Sequence, residues 1–435
     1  MRKRILLFVC MAAVALAGCG GDGYERIELS GQGTKQASGV SDSAGEDSAK
    51  GNPAGDADGQ DMGNMAENAG SSETVGTSGD KVEIQIGEPS VDVDGERKDH
   101  EAIGPDGSLE AGRGTRDESG DITLLFAGDV YLSDHVLRAW ETAGGISGVL
   151  DEGYREEIHK ADFFMVNQEF PFSSRGSQAP DKQFTFRLPP ERVEIFREMG
   201  INGVTLANNH ALDFGQDALL DSCTVLDGVG ILHTGAGEDL ESAGREISVE
   251  LSGKRIAMIG ATRVIPVSSW AAGNGHPGML ATYDPAVLLE RIRQLKENHD
   301  YVIVYVHWGI ERDEMPQEYQ RTLGRQYIDA GADLVIGAHP HVLQGIEYYE
   351  GKPVVYSLGN FVFGSSIPRT MLLKVTIPAN ARNGELELQV LPGTSAAGFT
   401  RRHEEQGTLE EFYKYLEGIS FDVTYDGEGN VVCTE

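Results

Sequence analysis

The sequence predicts a layered α/β fold for the part of the chain that follows residue 120. One supporting feature is that strand-like apolar runs alternate with amphipathic segments of helical length. Another is that five of these runs stop at residues able to bind a metal or to exchange a proton. The folded region spans roughly 270 to 300 residues, which is ample for one large hydrophobic core.

The five strand-like runs place polar side chains at their carboxyl ends. They are ITLLFAGD with Asp129, ADFFMVNQE with Glu169, GVTLANNH with Asn209 and His210, YVIVYVHWG with His307, and DLVIGAHPH with His339 and His341. In an open α/β sheet, ligands bind beyond the carboxyl ends of the strands, so we expect these side chains to form one site. Imidazole, carboxylate and amide donors without a thiol suit Zn, Mn or Fe.

The segments between these runs carry the start and stop signals of helices. Pro190 lies where the first turn of a helix would begin, and Gly200 follows the last apolar position. The apolar positions between them, Val193, Phe196 and Met199, fall at helical spacing. The predicted helices are 190–200, 285–298 and 317–330, and the further predicted strands are 255–264, 353–363 and a closing hairpin of 372–377 with 386–391.

The start of the chain has the features of a bacterial secretory signal. A basic start precedes an apolar run of roughly a dozen residues, which is too short to span a membrane. Leu16-Ala17-Gly18-Cys19 is similar to the lipobox of bacterial lipoproteins, which predicts a signal peptide of residues 1–18 and a lipid on Cys19. The predicted location is the extracytoplasmic face of the cell membrane, held by a lipid anchor. The alternative is plain secretion with an incidental cysteine.

Residues 19–120 are rich in glycine, serine, aspartate and glutamate and contain hardly any large apolar side chains. Such a segment cannot bury enough surface to offset its ordering entropy, which predicts a disordered acidic tether. The net charge of −33 argues against nucleic acid and against an anionic membrane surface as electrostatic partners. No spacing rule links Cys223 to Cys433, so the sequence leaves a disulfide between them open.

His339-Pro340-His341 is the strongest local metal-binding pattern in the sequence. Residues i and i+2 of an extended backbone point the same way, and Pro340 biases His339 toward extended geometry. Two imidazoles are therefore expected to face one pocket. His307 ends a run so apolar that a polar residue there needs a reason. The alternative for His307 is a purely structural histidine.

The two strand-end carboxylates are read together with these histidines. Gly128-Asp129 alone would be an ordinary turn, and Glu169 alone would be either a ligand or the cap of a helix. A carboxylate that bridges two divalent cations about 3.5–4 Å apart is what a two-metal site requires. Convergence with the histidines favours the metal-binding interpretation for both residues.

Asn208-Asn209-His210 with Asp213 adds acid–base chemistry to the predicted site. An amide oxygen from Asn209 is a weak neutral ligand, and His210 and Asp213 are three residues apart, so one helical turn would bring them together. A carboxylate that supports an imidazole is typical of a general acid or base. The alternative is that Asn208 and Asp213 cap the start of a helix.

The order of the motifs resembles a known family. GDVYLSD, NQEFPFS, LANNHALDFG, HWGIERDEMP and GAHPHVLQGIEYYEGKPVVYSLGNFVFG are similar to the blocks of the CapA-type poly-γ-glutamate capsule biosynthesis proteins. That resemblance implies the calcineurin-like metallophosphoesterase fold, a four-layered α/β/β/α sandwich. It covers residues 121–395, and the tail 396–435 would pack on this domain or extend it.

The resemblance also implies a role for each matching residue and a cofactor of one or two divalent ions. The implied roles are Asp129 and His341 at one metal, Asn209, His307 and His339 at the other, Glu169 between them, and His210 with Asp213 as the acid for a leaving oxygen. Further candidates for contacts to ligands or substrate are Asn208, Glu311, Asn360 and Arg187. The phosphoesterase pattern begins Asp-x-His, whereas the third position here is Tyr131, so one imidazole is missing from the first metal.

Three functions remain open from the sequence. The first is a metal-dependent hydrolase or transferase that acts on an envelope polymer. The second is a non-catalytic subunit that binds an anionic polymer such as poly-γ-glutamate beside membrane-embedded synthase or export subunits. A basic cleft for that polymer would use Arg187, Arg263 and Arg312, which are otherwise ordinary surface arginines. The third is a phosphoesterase with another substrate.

Overall fold

The computed structural model of the chain describes residues 120–382 and 384–434. The predicted signal peptide, the predicted lipidation site Cys19 and nearly all of the predicted tether lie outside the described residues. Among the described residues, no helix is long and apolar enough to cross a membrane. Cys223 and Cys433, whose pairing the sequence left open, are both free thiols.

The strands in chain order are β1 (Ile122–Val130), β2 (Phe163–Gln168), β3 (Gly203–Thr205), β4 (Leu232–Thr234), β5 (Ala236–Gly237), β6 (Ile247–Leu251), β7 (Lys254–Thr262), β8 (Gly278–Met279), β9 (Tyr301–His307), β10 (Leu334–Ala338), β11 (Leu343–Tyr349), β12 (Lys352–Leu358), β13 (Asn360–Val362), β14 (Ser366–Ile377), β15 (Glu387–Ala396), β16 (Phe399–Arg402), β17 (Val423–Tyr425) and β18 (Val431–Cys433). The α-helices are α1 (Asp134–Ala143), α2 (Glu152–Lys160), α3 (Val193–Glu198), α4 (Gln216–Gly228), α5 (Leu240–Ala243), α6 (Ala286–Asn298), α7 (Glu318–Ala330) and α8 (Gln406–Ile419). Short 3₁₀ turns span Ile146–Gly148, Pro190–Arg192 and Ser268–Trp270.

Two large sheets form the centre of the domain. The first sheet has the order β16-β15-β14-β1-β2-β3-β4, and β13 also pairs with β1. The second has the order β11-β12-β10-β9-β7-β6. Strands β1 to β4 run parallel, as do β7, β9, β10 and β12. Because parallel strands end at the same edge, each sheet collects its carboxyl ends on one side.

The side chains of the strands alternate between two hydrophobic layers. In β9, Ile303 and Tyr305 face the core between the sheets, whereas Val302 and Val304 pack under α6 and α7. The other face of the first sheet packs against α1 to α4. Fully burying one such aliphatic side chain contributes about 1.5–3 kcal/mol. The predicted four-layered α/β/β/α sandwich is therefore confirmed.

Most of the elements predicted from sequence are present. The segment 190–200 forms a 3₁₀ turn followed by α3, and Val193, Phe196 and Met199 are buried as the spacing predicted. The predicted helices 285–298 and 317–330 are α6 and α7, and β14 pairs with β15 as the predicted hairpin. Beyond β15, β16 extends the first sheet and α8 packs into the core between the sheets.

One predicted strand is wrong in extent. The run 353–363 reads as one strand, but it divides at Gly359 into β12 of the second sheet and β13 of the first. Gly359 has φ +58°, a left-handed conformation that favours glycine. Its carbonyl oxygen accepts a 2.8 Å hydrogen bond from the backbone N–H of Asp129. The chain therefore crosses between the sheets beside the end of β1.

Gly128→Ala is expected to lower the free energy of unfolding by about 1–3 kcal/mol, the range for overpacking. The physical reason is that an added Cβ would lie 1.8 Å from the carbonyl oxygen of Gly359. Urea denaturation measures the effect. Gly228→Ala is the matched control, because the described residues leave open space around its added Cβ in the last position of α4. Equal stability of Gly128→Ala and the wild type would contradict the prediction.

Candidate metal centre

The carboxyl ends of four strands bring together the polar residues of the predicted site. Asp129 lies near the end of β1, Glu169 directly follows β2, and His307 is the last residue of β9. Their exposed fractions are 0%, 0% and 1%. His339 directly follows β10, whose last residue pairs with His307 across the sheet. Two carboxylates and two imidazoles are thus buried at one edge, as the sequence predicted.

Two groups of ligand atoms can each hold a metal ion. One group consists of Asp129, Glu169 and His307, and the other of Glu169, His339 and His341, with all ligand atoms of a group within 4.8 Å of one another. Glu169 is common to both groups, which is the arrangement of a bridging carboxylate. By distance, His339 groups with His341, whereas the family resemblance assigns it to the metal of His307. The rings of His307 and His339 are nevertheless only 4.7 Å apart between centroids.

Two buried polar atoms in these groups lack a hydrogen-bond partner among the described residues. They are Oε2 of Glu169 and Nδ1 of His339. An unsatisfied buried polar group costs about 1–3 kcal/mol, and more when it is charged. A divalent cation between the groups would satisfy both atoms. The donor set therefore fits the metal that the sequence predicted.

The electrostatics of the cluster also favour a cation. Burial, and then the neighbouring Asp129 carboxylate, raise the pKa of Glu169 well above its usual range. Burial and the other histidines lower the pKa of His307 well below its usual value, and that of His339 to about 4. Burial lowers the pKa of His341, but the carboxylates of Glu169 and Asp129 outweigh it and raise the pKa to about 10. His307 and His339 are thereby kept neutral, the form that binds metals.

The His339-Pro340-His341 segment is a turn, so the predicted extended backbone is wrong. His339 has φ +99° and His341 has φ +59°, both in the left-handed region. The reason is that the chain must reverse between β10 and β11, which begins at Leu343. The N–H of His339 donates to Oδ2 of Asp129 at 3.3 Å, and Nδ1 of His341 lies 2.8 Å from Oδ1 of Asn360. The strain of a left-handed backbone at a residue other than glycine costs about 1–3 kcal/mol per residue and is typical of functional sites.

Asn167 is a site residue that the sequence reasoning missed. Its amide nitrogen donates to Oδ1 of Asp129 at 2.7 Å and lies 3.3 Å from Nδ1 of His307. Its side-chain oxygen accepts from the amide of Asn208 at 3.0 Å. Asn167 precedes Glu169 by two positions, so strand alternation places both on one face. This spacing was the signal that could have identified it.

Asn209, His210 and Asp213 lie together in the turn before α4. Oδ1 of Asn209 is 2.8 Å from Nε2 of His307, and Nδ1 of His210 is 2.7 Å from Oδ2 of Asp213. The capping alternative is wrong for Asp213, because α4 begins at Gln216 and the Asp213 carboxylate accepts from the N–H of Phe186. The side chain of Asn208 accepts from the N–H of His210 and thus fixes this turn.

Lys182 is a second residue that the sequence reasoning missed. Its ammonium donates to the carboxylate of Asp213 and to the carbonyl oxygen of Asn209 and lies 3.0 Å from Nδ1 of His210. Burial lowers the pKa of Lys182, against the opposing charge of Asp213, and burial also lowers the pKa of His210. Lys182 lies in the irregular segment between β2 and α3, where no periodicity marks a functional residue.

Tyr131, which replaces the histidine of the phosphoesterase pattern, lies in an aromatic wall. This wall consists of Tyr131, Phe186 and Phe363. The Tyr131 ring stacks on Phe186 at 4.0 Å, and Phe186 stacks on the other side on His210 at 4.2 Å. Burial, and then Asp134, raise the pKa of Tyr131 to about 12, so its hydroxyl stays neutral. The wall therefore holds the ring of His210 in place.

The remaining candidates, Arg187 and Glu311, belong to neither ligand group. The guanidinium of Arg187 stacks on Phe214 at 3.9 Å and donates to the carbonyl oxygen of Arg175. Glu311 is exposed in the loop after β9, and its charge adds to the raised pKa of Glu169 and partly opposes the lowering of the pKa of Lys182 by burial. Arg187 is thus held by an aromatic ring, and Glu311 acts on the cluster through its field.

Comparison with known proteins identifies the family of the chain. A family model described as bacterial capsule synthesis protein PGA_cap matches residues 123–365. The chain is 34% identical over 274 residues to the PGA biosynthesis protein CapA of Bacillus subtilis (strain 168), covering 62% of this chain and 71% of that protein. It is 30% identical over 282 residues to the capsule biosynthesis protein CapA of Bacillus anthracis, covering 63% of this chain and 68% of that protein.

Among solved structures, the chain is similar to the NAD nucleotidase of Haemophilus influenzae with a TM-score of 0.39 and 12% identity, covering 69% of this chain and 63% of that one. The sequence relatives are closer, and the family model matches more than half of the chain. These matches confirm the resemblance seen in the motifs: the chain belongs to the PGA_cap family of bacterial capsule synthesis proteins.

Proposed function

We propose that this protein is a cell-surface lipoprotein of poly-γ-glutamate capsule biosynthesis or export, with a divalent-metal centre for hydrolysis or transfer on an envelope polymer. The observation that carries the proposal is the buried pair of ligand groups that share Glu169, with unpartnered atoms on Glu169 and His339. The capsule role is supported by relatives named as PGA and capsule biosynthesis proteins. Membrane-embedded synthase or export subunits are the partners expected for such a role.

The residues of the chain divide the chemistry among them. Asp129, His307, His339 and His341 would hold metal beside the shared Glu169, and Asn167 fixes the orientation of the Asp129 carboxylate through its 2.7 Å hydrogen bond. A divalent cation of Mn, Fe or Zn in such a centre supplies Lewis-acid activation of water or of a substrate oxygen. A residue that orients a metal ligand by a hydrogen bond, as Asn167 does for Asp129, typically contributes 10–100-fold to metal affinity.

His210 is the proton donor for the leaving group. Its Nδ1 faces Asp213 at 2.7 Å, so Nε2 is the ring nitrogen that meets substrate. Asp213 and Lys182 hold the ring from one side and Phe186 stacks on its face. A positioned acid of this kind contributes about 10²–10⁴-fold to a rate.

A second candidate function is a non-catalytic subunit that binds the polymer. It is favoured by Tyr131, which supplies an aromatic ring where the phosphoesterase pattern has a metal-binding histidine. On this interpretation the metal centre would stabilise the fold or bind an anionic group of the polymer. His210 would then have no role as a proton donor.

The full chain, purified without chelator, is expected to retain one or two equivalents of Mn, Fe or Zn by elemental analysis. His307→Ala and His339→Ala should each weaken the affinity at least about 100-fold, because each removes a ligand rather than its support. His159→Ala is the control, since this histidine is exposed on α2. Wild-type metal content in both ligand variants, or no uptake by the wild type after reconstitution, would contradict the metal centre.

His210→Ala is expected to abolish polymer production or modification while leaving metal content intact, because the ring donates a proton and is not in either ligand group. The measurement is polymer yield and chain length in a producing strain that carries the variant in place of the wild type, with metal content measured in parallel. Normal output from this variant would remove the enzymatic function and leave the binding subunit.

Cys19→Ser is expected to release the protein from membranes, because Cys19 is the predicted attachment point of the lipid. The measurement is the distribution of the protein between membrane and soluble fractions. Cys10→Ser is the matched control, since Cys10 lies inside the apolar run of the signal and should leave anchoring unchanged. Unchanged membrane retention of Cys19→Ser would exclude the lipid anchor.

A further inference from the structure

Residues 173–187 form a loop that is closed at its base. Phe172 and Leu188 pair as an isolated bridge, and the N–H of Ser173 donates to the carbonyl oxygen of Leu188 at 2.9 Å. The residues between these ends form neither helix nor strand. A compact loop with adjoining ends is an Ω-loop, a type of loop that is frequently functional. The contacts of the 173–187 loop therefore indicate what it does.

Asp213 is the residue to which the 173–187 loop is attached. Its backbone carbonyl oxygen accepts from the N–H of Ala179 at 2.7 Å, and Oδ2 of its carboxylate accepts from the N–H of Phe186 at 2.7 Å. Oδ1 of the carboxylate accepts from the ammonium of Lys182. Three separate positions of the loop thus bond to one residue, which is also the carboxylate partner of His210.

The next residue, Phe214, packs against both ends of the same loop. A Cβ added at Gly176 would lie 1.8 Å from the carbonyl oxygen of Phe214, and Gly176 has φ +85°, where other residues are strained. The guanidinium of Arg187 stacks on the Phe214 ring at 3.9 Å. The shape of the loop is therefore matched to the turn that carries His210 and Asp213.

Lys182 reaches from the loop into this turn. Its ammonium donates to the carboxylate of Asp213 and to the carbonyl oxygen of Asn209, and it lies 3.0 Å from Nδ1 of His210. The side chain of Lys182 is only 14% exposed, and Nζ lies 5.4 Å from the ring centroid of the buried Trp270. An ammonium ends a flexible four-carbon stem, so only contacts on several sides can hold it in one place. Lys182 has such contacts.

These contacts link the proton donor to the metal centre. Asn209 directly precedes His210, and its side-chain oxygen is 2.8 Å from Nε2 of the ligand His307. Lys182 bonds to the backbone of Asn209 and to the carboxylate that holds the His210 ring. It therefore fixes the position of the ring relative to the ligand. A misplacement of roughly 1 Å at a catalytic site can cost about 10²-fold in rate.

Lys182 also fixes which oxygen of Asp213 meets the imidazole. The ammonium takes Oδ1, and Oδ2 lies 2.7 Å from Nδ1 of His210, closer than the ammonium itself. A carboxylate that is bonded through both oxygens does not rotate, so the proton of the neutral ring stays on Nδ1. The hydrogen bond at one ring nitrogen sets the protonation of the other, which leaves Nε2 free for substrate.

We propose that Lys182 is the positioning residue of the His210–Asp213 pair: held in place by the 173–187 loop, it fixes the Asp213 carboxylate and so keeps the His210 ring in one tautomer and one orientation. The inference rests on the proposed function, in which His210 is the proton donor, and it adds the residue that orients this donor. In this role Lys182 neither transfers a proton nor binds a metal.

The test is the tautomer of His210 in the full chain supplied with zinc. It is read at alkaline pH from the ring-nitrogen NMR signals of protein labelled with ¹⁵N-histidine, and His210→Ala assigns the signals. The wild type is expected to show the Nδ1-protonated ring alone. Lys182→Met removes the ammonium and keeps the stem, so both tautomers should appear. Lys160→Met is the matched control, because Lys160 is exposed on α2 and pairs with Glu156, and it should give the wild-type spectrum.

Polymer output and metal content are measured for the same variants. Lys182→Met is expected to lower the output at least about tenfold while metal is retained, since a displaced donor loses rate without loss of a ligand. Lys182→Arg keeps the charge and can reach the same carboxylate, so it should retain the Nδ1 tautomer and most of the output. It also provides the measurement if Lys182→Met does not fold.

Three results would each overturn the positioning role: mixed tautomers in the wild type, a single Nδ1 tautomer in folded Lys182→Met, or mixed tautomers in folded Lys182→Arg. Normal output from Lys182→Met in a strain where His210→Ala abolishes it would also do so. The ring signals do not depend on turnover. Normal output from His210→Ala would therefore remove the enzymatic function and leave the tautomer result standing, so the two failures are distinguishable.

Discussion

The burial of two neighbouring carboxylates, Asp129 and Glu169, is the constraint on which the rest of the site depends. Two like charges 4 Å apart repel by about 4 kcal/mol at the effective dielectric of a protein. Burial, and then this repulsion from Asp129, raises the pKa of Glu169. A bound cation would remove the conflict, because it would compensate both charges and satisfy the unpartnered oxygen of Glu169. The hydrogen bonds around Asp129 and Glu169 hold the two carboxylates close together, although burial in an apolar core alone would disfavour this.

The sandwich supplies the rigidity that this arrangement requires. Asp129 is fixed by its backbone bond to Gly359 and by the amide of Asn167, so both sheets and two strands position one carboxylate. The left-handed residues His339 and His341 store strain that an isolated loop would release by moving. Here the strained turn is held between β10 and β11, both buried, and its first N–H is bonded to Asp129. The packing of these two strands therefore keeps the side chains of His339 and His341 in fixed positions.

The sequence predicts whatever is encoded locally and fails where distant segments decide. Helices such as α6 begin and end at local signals, and the strand-end residues converge because parallel strands share an edge. The break at Gly359 was not predictable, because the apolar run around it is continuous and the change of sheet depends on contact with β1. Lys182 was missed for a similar reason, since its role depends on an irregular loop that returns to Asp213.

The change from histidine to Tyr131 has two linked consequences. It removes an imidazole that the phosphoesterase pattern would direct to the first metal, and it places a ring against Phe186, which stacks on His210. The side of the centre around His210 therefore combines the aromatic face of Phe186 and Tyr131 with the charged pair of Lys182 and Asp213. The residue at position 131 thus supports the ring of His210 through Phe186 instead of supplying a metal ligand.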